Sequence, residues 1–187
     1  MNNITYSFIV ACDLNGGIGK NGTMAWHITE DLKRFRDITR LENRTNVVIM
    51  GKCTWESLGS KPLYGRYNIV ISKTLSSSSK SYVFDKGVYF IPSLEKALSF
   101  TNGLSNVEKP LNIFVIGGEQ LYKEALNDTR CVSGFLTIIK NTYNCDKFFP
   151  KELMDNYETI YDGEWLYENN NDNDIDIEYR FINVIRK

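Results

Sequence analysis

Six short apolar runs, separated by polar or glycine-bearing stretches, constrain this chain more than any other feature. They are Tyr6–Cys12, Asn46–Gly51, Asn68–Ser72, Val88–Ile91, Leu111–Ile116 and Phe135–Ile139. A strand with one face in water alternates apolar and polar residues; these runs are near-continuous, as expected of strands covered on both faces. Helical stretches lie between several of them. One starts near Thr29, whose hydroxyl is expected to cap it. A short one follows Gly51, with Thr54 as cap. One runs from Pro92-Ser93 to about Phe100, and one spans Glu119–Leu126, with Leu121, Tyr122, Ala125 and Leu126 on its buried side. Tyr157–Tyr161 is a further strand. Ile175, Ile177, Tyr179 and Phe181 alternate with polar residues, the pattern of a half-buried antiparallel strand. The expected fold is α/β: a mostly parallel central sheet of about eight strands, an antiparallel C-terminal strand and about four flanking helices.

The 187 residues suit one domain, residues 1–187. A net charge of −1 argues against nucleic acid or an anionic membrane as partner. No apolar run approaches the roughly 20 residues of a membrane span. The four cysteines, Cys12, Cys53, Cys131 and Cys145, have neither metal nor redox spacing, and no metal site is expected. They read as reduced thiols of a cytoplasmic protein. Leu75–Ser81 is a serine-rich surface loop, Asn102–Pro110 a polar connector, and Glu168–Asp174 an Asn- and Asp-rich loop with no assigned role.

The stretch Ala11–Phe35 concentrates the chemistry. A long glycine-bearing loop leads past Trp26 into the first helix. Loops of this length in compact domains are uncommon and usually functional or disordered. Ile28, Leu32, Phe35 and Ile38 share one helix face, and Asp31 shares it with them. Acidic residues favour a helix N-terminus, but Glu30 fits that role better because it points away from this face. A carboxylate among apolar neighbours needs a buried partner or a pocket that binds something. Gly17-Ile18-Gly19-Lys20-Asn21-Gly22 fits the dinucleotide pattern G-x-G-x-x-G, yet Thr23 to Ile28 intervene before the helix, so the context is wrong for it. Lid-like flexibility is the better reading. Two strand–glycine–helix junctions, Gly51-Lys52 and Gly117-Gly118, either hold phosphates or merely allow tight turns.

Gly17-Ile18-Gly19 through Trp26 to Asp31 and Phe35, then Val48–Ser57, Pro62–Arg66, Val115–Gly118 with Leu121-Tyr122, and Asp146 before Phe149-Pro150, occur in an order and spacing that resemble the dihydrofolate reductases. The resemblance implies NADPH-dependent hydride transfer to C6 of 7,8-dihydrofolate with protonation of N5, supporting one-carbon metabolism and thymidylate synthesis. Asp31 matches the family's pocket carboxylate, which binds the pterin. Thr137 would brace it, with Trp26 and Met24 completing the catalytic group and Met24 in the lid. Ile9, Val10, Ile116 and Tyr122 match the pterin edge, the carbonyls of Ile9 and Ile116 facing it. Phe35, Leu58 and Leu63 match the apolar walls, and Arg66 the partner of the glutamate α-carboxylate. For the cofactor, Ala11 and Ile18 match nicotinamide contacts. Gly51, Lys52, Cys53 and Thr54 match the pyrophosphate and adenosine side. Ser72 and Lys73 match the 2′-phosphate site. The segment Gly117, Gly118, Glu119, Gln120, Leu121 and Tyr122 would pass under the pyrophosphate, with a cis peptide between the glycines. The resemblance further implies inhibition by antifolates and a monomer, unless the chain is part of a fusion with thymidylate synthase.

Ala25 departs from the family, which usually has Pro before the Trp; this would loosen the lid and removes no chemical group. His27, the only histidine, matches a variable position and reads as a surface residue. Two rivals remain. A reductase of the same fold acting on a ribosylated aminopyrimidine would not need Asp31 with Trp26, nor Arg66. A non-catalytic NADPH-binding protein would not need Asp31.

Overall fold

The computed structural model describes residues 4–75, 83–85, 87–104, 109–169 and 176–187. Most of the serine-rich loop, part of the polar connector, most of the Asn-rich stretch and Ile175 lie outside the described residues.

Tyr6–Asp13 (β1) is the strand on which the rest is assembled. After the long loop, which contains the short strand Gly17–Gly19 (β2), the chain enters the helix Thr29–Thr39 (α1). It continues through Thr45–Gly51 (β3), Lys52–Ser57 (α2), Tyr67–Ile71 (β4), Val83–Asp85 (β5), Val88–Ile91 (β6) and Leu94–Asn102 (α3). Leu111–Val115 (β7) then leads to Glu119–Asn127 (α4), and Cys131–Ile139 (β8) to Lys147–Phe148 (β9). A 3-10 turn at Lys151–Asn156 precedes Tyr157–Asp162 (β10), Leu166–Glu168 (β11) and Ile177–Arg186 (β12).

Among the described residues ten strands form one sheet, in the order β10-β12-β8-β1-β7-β3-β4-β6-β5, with β11 beside β12. The six apolar runs form its parallel block, from β8 to β6. The C-terminal β12 is antiparallel to β8, as its alternation requires, and β10 forms the edge. The strand count exceeds the expected eight because β5 and β11, three residues each, are too short to show a periodicity. β2 and β9 pair with each other outside the sheet.

Phe8, Val10, Val47, Ile49, Ile69, Val115, Leu121 and Leu126 belong to the main core, on the face covered by α3 and α4. β7 is inserted between β1 and β3, so chain direction across the sheet reverses beside β1. Ligands of such sheets bind beyond the carboxyl ends of the strands at this reversal.

Two expected caps are absent. α1 is preceded by Ile28 with no side-chain cap; Thr29 is already helical, and its N–H donates to Glu168 Oε1 at 3.2 Å. Thr54 likewise lies inside α2, which Gly51 precedes. By contrast Ser93 caps α3, accepting from the Lys96 N–H at 3.3 Å, and Gly103 ends it. The apolar face of α1 is also not packed solid. Leu32 is 42% exposed, Phe35 and Ile38 are half-buried, and Thr39 is the buried residue of the helix. That face borders an open cleft.

Candidate active site

Asp31, in the first turn of α1, reaches across the cleft to β8. Its Oδ1 accepts a hydrogen bond from the Thr137 hydroxyl at 2.6 Å. Thr137 is buried, paired in register with Ala11 of β1 and Phe181 of β12. Burial pushes the Asp31 carboxyl above its ordinary pKa; the Thr137 hydrogen bond and the Arg34 charge oppose this in part. Arg34 is held away by others: it donates to Asn183 Oδ1 at 2.6 Å and stacks on the Phe181 ring, 4.4 Å from its centroid. Asp31 is thus a desolvated carboxylate with one neutral donor, and it retains acceptor capacity for a ligand.

Trp26 is buried against Ile28, Ile139, Ile177 and Tyr179, with Ala11 and Cys145 beside it. Its ring lies 5.3 Å from that of Tyr143. Its Nε1–H is buried without a partner among the described residues. A buried indole N–H left unmet points to a ligand or an ordered water. Arg66, at the far end of α1, donates to Thr39 Oγ1 at 2.8 Å and lies 5.6 Å over the Phe35 ring. The Thr39 hydroxyl in turn donates to the Phe35 carbonyl at 2.6 Å. Arg66 Nε, also buried, has no partner among the described residues. One cleft therefore has a carboxylate at one end and an incompletely used guanidinium at the other, with Phe35 between.

The apolar residues sort by strand alternation. Ile9 lies on β1, and its carbonyl accepts from the Tyr122 hydroxyl at 2.7 Å. Val10 instead packs its side chain into the main core, leaving only its backbone for the cleft. Leu63 and Ile116 both pack against the cluster of Val48, Met50 and Trp55, while Leu58 is 37% exposed at the rim. Met24, 49% exposed, and His27, also exposed, lie on the long loop.

At the β3 and β7 ends, Gly51 N–H donates to the Gly117 carbonyl at 2.7 Å, and the Gly117–Gly118 peptide is cis. Gly117 has φ +110 and a Cβ there would lie 3.0 Å from the Tyr122 ring; one on Gly118 would lie 3.4 Å from Thr54 Oγ1. The floor is bare backbone at the N-terminus of α4, open to close approach by an anionic group. Glu119 and Gln120 are exposed there, whereas Leu121 packs into the core. Lys52 is exposed and its Nζ lies 3.6 Å from Glu56 Oε1; Cys53 is also exposed. Ser72 is buried, and its hydroxyl sits 3.2 Å from Thr74 Oγ1 and accepts from the Leu75 N–H at 3.2 Å, while Lys73 is exposed beside it. Ile18 is half-buried on β2.

One family model, "Dihydrofolate reductase", matches residues 5–186, nearly the whole chain. The chain belongs to the dihydrofolate reductase family. A dihydrofolate reductase of Aedes albopictus is 30% identical over 97% of this chain and 98% of its own length. A bifunctional dihydrofolate reductase-thymidylate synthase of Paramecium tetraurelia is 35% identical over 99% of this chain, which spans only 35% of that relative. In structure the chain resembles a dihydrofolate reductase from Enterococcus faecalis complexed with NADP(H) and RAB-propyl, with TM-score 0.73 and 26% identity over 98% of this chain and 96% of that one.

The family resemblance does not single out Asp13. This carboxylate is 1% exposed at the end of β1. Oδ1 accepts from the N–H groups of Asn15 and Gly17 at 2.9 and 2.7 Å, and Oδ2 from that of Tyr143 at 2.8 Å. It ties the long loop to the segment that packs on Trp26. An Asp two residues before Asn15 and just ahead of Gly16-Gly17 is the signature of an Asx turn, and that is the available sequence signal. Among the described residues no group of three or more His, Cys, Asp or Glu could hold a metal, and no helix is long and apolar enough to cross a membrane.

Proposed function

We propose that this chain reduces 7,8-dihydrofolate to tetrahydrofolate with NADPH. The observation that carries the reading is the buried Asp31–Thr137 pair in a cleft that ends at Arg66. Bound NADPH supplies the hydride. Asp31 accepts from the pterin's amino group and ring nitrogen and favours a proton on N5; desolvation strengthens these hydrogen bonds. Thr137 holds the carboxylate in position. The unmet Trp26 N–H provides one more donor in the cleft. The carbonyls of Ile9 and Ile116 and the backbone of Val10 face the pterin edge, with Tyr122 holding the Ile9 carbonyl. Phe35, Leu58 and Leu63 flank the ring and benzoyl group, and Arg66 takes the α-carboxylate of the tail.

For the cofactor, the bare floor at Gly51, Gly117 and Gly118 with the start of α4, Glu119 to Tyr122, suits a pyrophosphate. Lys52, Cys53 and Thr54 border it. Lys73 supplies the cation for a 2′-phosphate, while Ser72 shapes the turn that carries it. Ala11, Ile18 and Met24 border the nicotinamide, and the long loop that holds Ile18 and Met24 serves as lid. The same cleft would admit antifolates. We read residues 1–187 as one dihydrofolate reductase domain, monomeric unless joined to a thymidylate synthase. Its free cysteines suit the cytoplasm.

Turnover of dihydrofolate with NADPH by purified protein tests this. Substitution Arg66→Leu should raise the KM for dihydrofolate about tenfold or more, the scale of a lost charge-assisted pair, while leaving that for NADPH little changed. Equal effects on both would remove Arg66 from the tail site.

A further inference from the structure

Asp31 has a charged neighbour that the chemistry above leaves without a role. Arg34 follows it by three residues on α1, about 4.5 Å along the axis, and positions so spaced share a helix face. The sheet beneath holds both side chains. Thr137 and Phe135 stand on one face of β8, and their partners across β12 are Phe181 and Asn183. Thr137 holds Asp31. The other three hold Arg34. Asn183 Oδ1 accepts from its guanidinium at 2.6 Å, and the guanidinium carbon lies 4.4 Å from the Phe181 ring centroid and 5.7 Å from that of Phe135.

The clamp matters for what it leaves free. Arg34 is half-buried and makes no ion pair with a carboxylate among the described residues. A guanidinium stays protonated at any working pH. Its charge is therefore fixed near Asp31, while Asn183 and the two rings keep it off the carboxylate's acceptor sites. Asp31 gains a potential and keeps its hydrogen-bonding capacity for a ligand. The other titratable groups around it are neutral or engaged. Tyr122 of α4 and Tyr179 of β12 both sense its charge, and burial raises both phenols, so they stay protonated. Glu30 is exposed, 3.6 Å from Lys33 Nζ, and Glu168 of β11 accepts from the Thr29 N–H at 3.2 Å. On the far side of the guanidinium, Tyr161 of β10 senses Arg34 as well.

We propose that Arg34 is a positioning residue of the reaction: clamped by Asn183 and Phe181, its charge acts through Asp31 and sets the pH at which the carboxylate and the bound pterin lose their shared proton. The proposal rests on the dihydrofolate reading above. Hydride transfer to C6 needs a proton on N5, so turnover falls as pH rises through that point. A fixed cation disfavours the protonated form of the pair wherever the proton sits, on N5 or on Asp31. Removing the cation therefore moves the falling limb to higher pH. In the free enzyme the same charge helps keep Asp31 ionised, ready to accept from the pterin.

The test is the pH profile of kcat for dihydrofolate with saturating NADPH. Arg34→Leu keeps an apolar contact with Phe181 and loses the charge; its falling limb should lie about 0.5 to 1 pH unit above that of wild type. Arg34→Gln, which can still donate to Asn183, should move the limb as far, and Arg34→Lys should return it most of the way. Lost packing alone would lower kcat at every pH and leave the limb in place. Carbon-13 NMR of aspartate-labelled protein without substrate gives a second readout. The Asp31 carboxyl signal, identified by its loss in Asp31→Asn, should titrate at higher pH in Arg34→Gln than in wild type. A limb that stays in place in the charge-removing variants, or an Asp31 titration that does not move, would overturn the role of Arg34 and leave the reductase reading intact. No turnover of dihydrofolate by the wild type would overturn both.

Discussion

Asp31 illustrates how a residue can cost stability and still be kept. Its folded pKa is raised, so between the ordinary carboxylate range and that raised value the folded state holds more protons than the unfolded one. Stability then falls as pH rises through this window, and the deficit is complete above it. Asp31→Asn removes the charge and keeps the shape. Its melting temperature should exceed that of wild type near neutral pH and match it at a pH well below the carboxylate range. Its turnover should fall at least about a hundredfold, the usual scale for a lost general acid–base group. A melting temperature unchanged by the substitution at neutral pH would mean that Asp31 carries no desolvation strain. Asp31 is legible in the sequence from its place on an apolar helix face. Asp13, the more deeply buried of the two, is legible only as a local Asx turn with Asn15 and Gly17; its third bond, from the distant Tyr143 N–H, leaves no mark in the sequence pattern.

At the scale of elements, the long loop is held by pairings that local sequence does not encode. β2 pairs with β9, the Asp146 carboxylate accepts from the Asn21 N–H at 3.1 Å, and Asp13 reaches Tyr143. Gly17 sits at the tightest point: a Cβ there would lie 2.7 Å from Cys145 Sγ and 2.9 Å from Asp13 Oδ2. Gly17→Ala should displace the loop and lower kcat about tenfold or more, as a misplacement of about 1 Å can, with only a small loss of global stability by urea unfolding. A kcat equal to wild type would show that the loop's position is not coupled to turnover. The strands of the parallel block are legible because each is an apolar run. The caps of α1 and α2 are not. A threonine near a helix start satisfies the pattern for a cap, yet here both threonines fall inside the helix, where the hydroxyl cannot reach back to the first N–H groups.

Across the whole molecule, the last strand is an interior one. β12 lies between β8 and β10, and Arg186 near its end donates to the carbonyls of Cys131, Leu126 and Asp128 at 2.9, 2.8 and 2.9 Å. Deleting residues 177–187 should leave β10 without a partner and expose one edge of β8, and abolish cooperative unfolding, as read by circular dichroism on heating. A soluble truncated chain with a sharp transition would contradict this. Tight packing at β1 and β8 makes a second global prediction. A Cβ on Gly134 would lie 2.0 Å from Phe8 Cζ, so Gly134→Ala should destabilise by about 1–3 kcal/mol, the usual cost of overpacking a core. The sheet, its reversal point beside β1 and the cleft beyond it together gather Asp31, Thr137 and Arg66 beside one helix, and the proposed reductase chemistry depends on that placement. The most direct measurement is the loss of NADPH absorbance with dihydrofolate present, in wild type and in Asp31→Asn. The expected result is rapid, dihydrofolate-dependent oxidation in the wild type and almost none in the folded variant. Equal rates in the two proteins, or no oxidation by a wild type that binds NADPH, would contradict it.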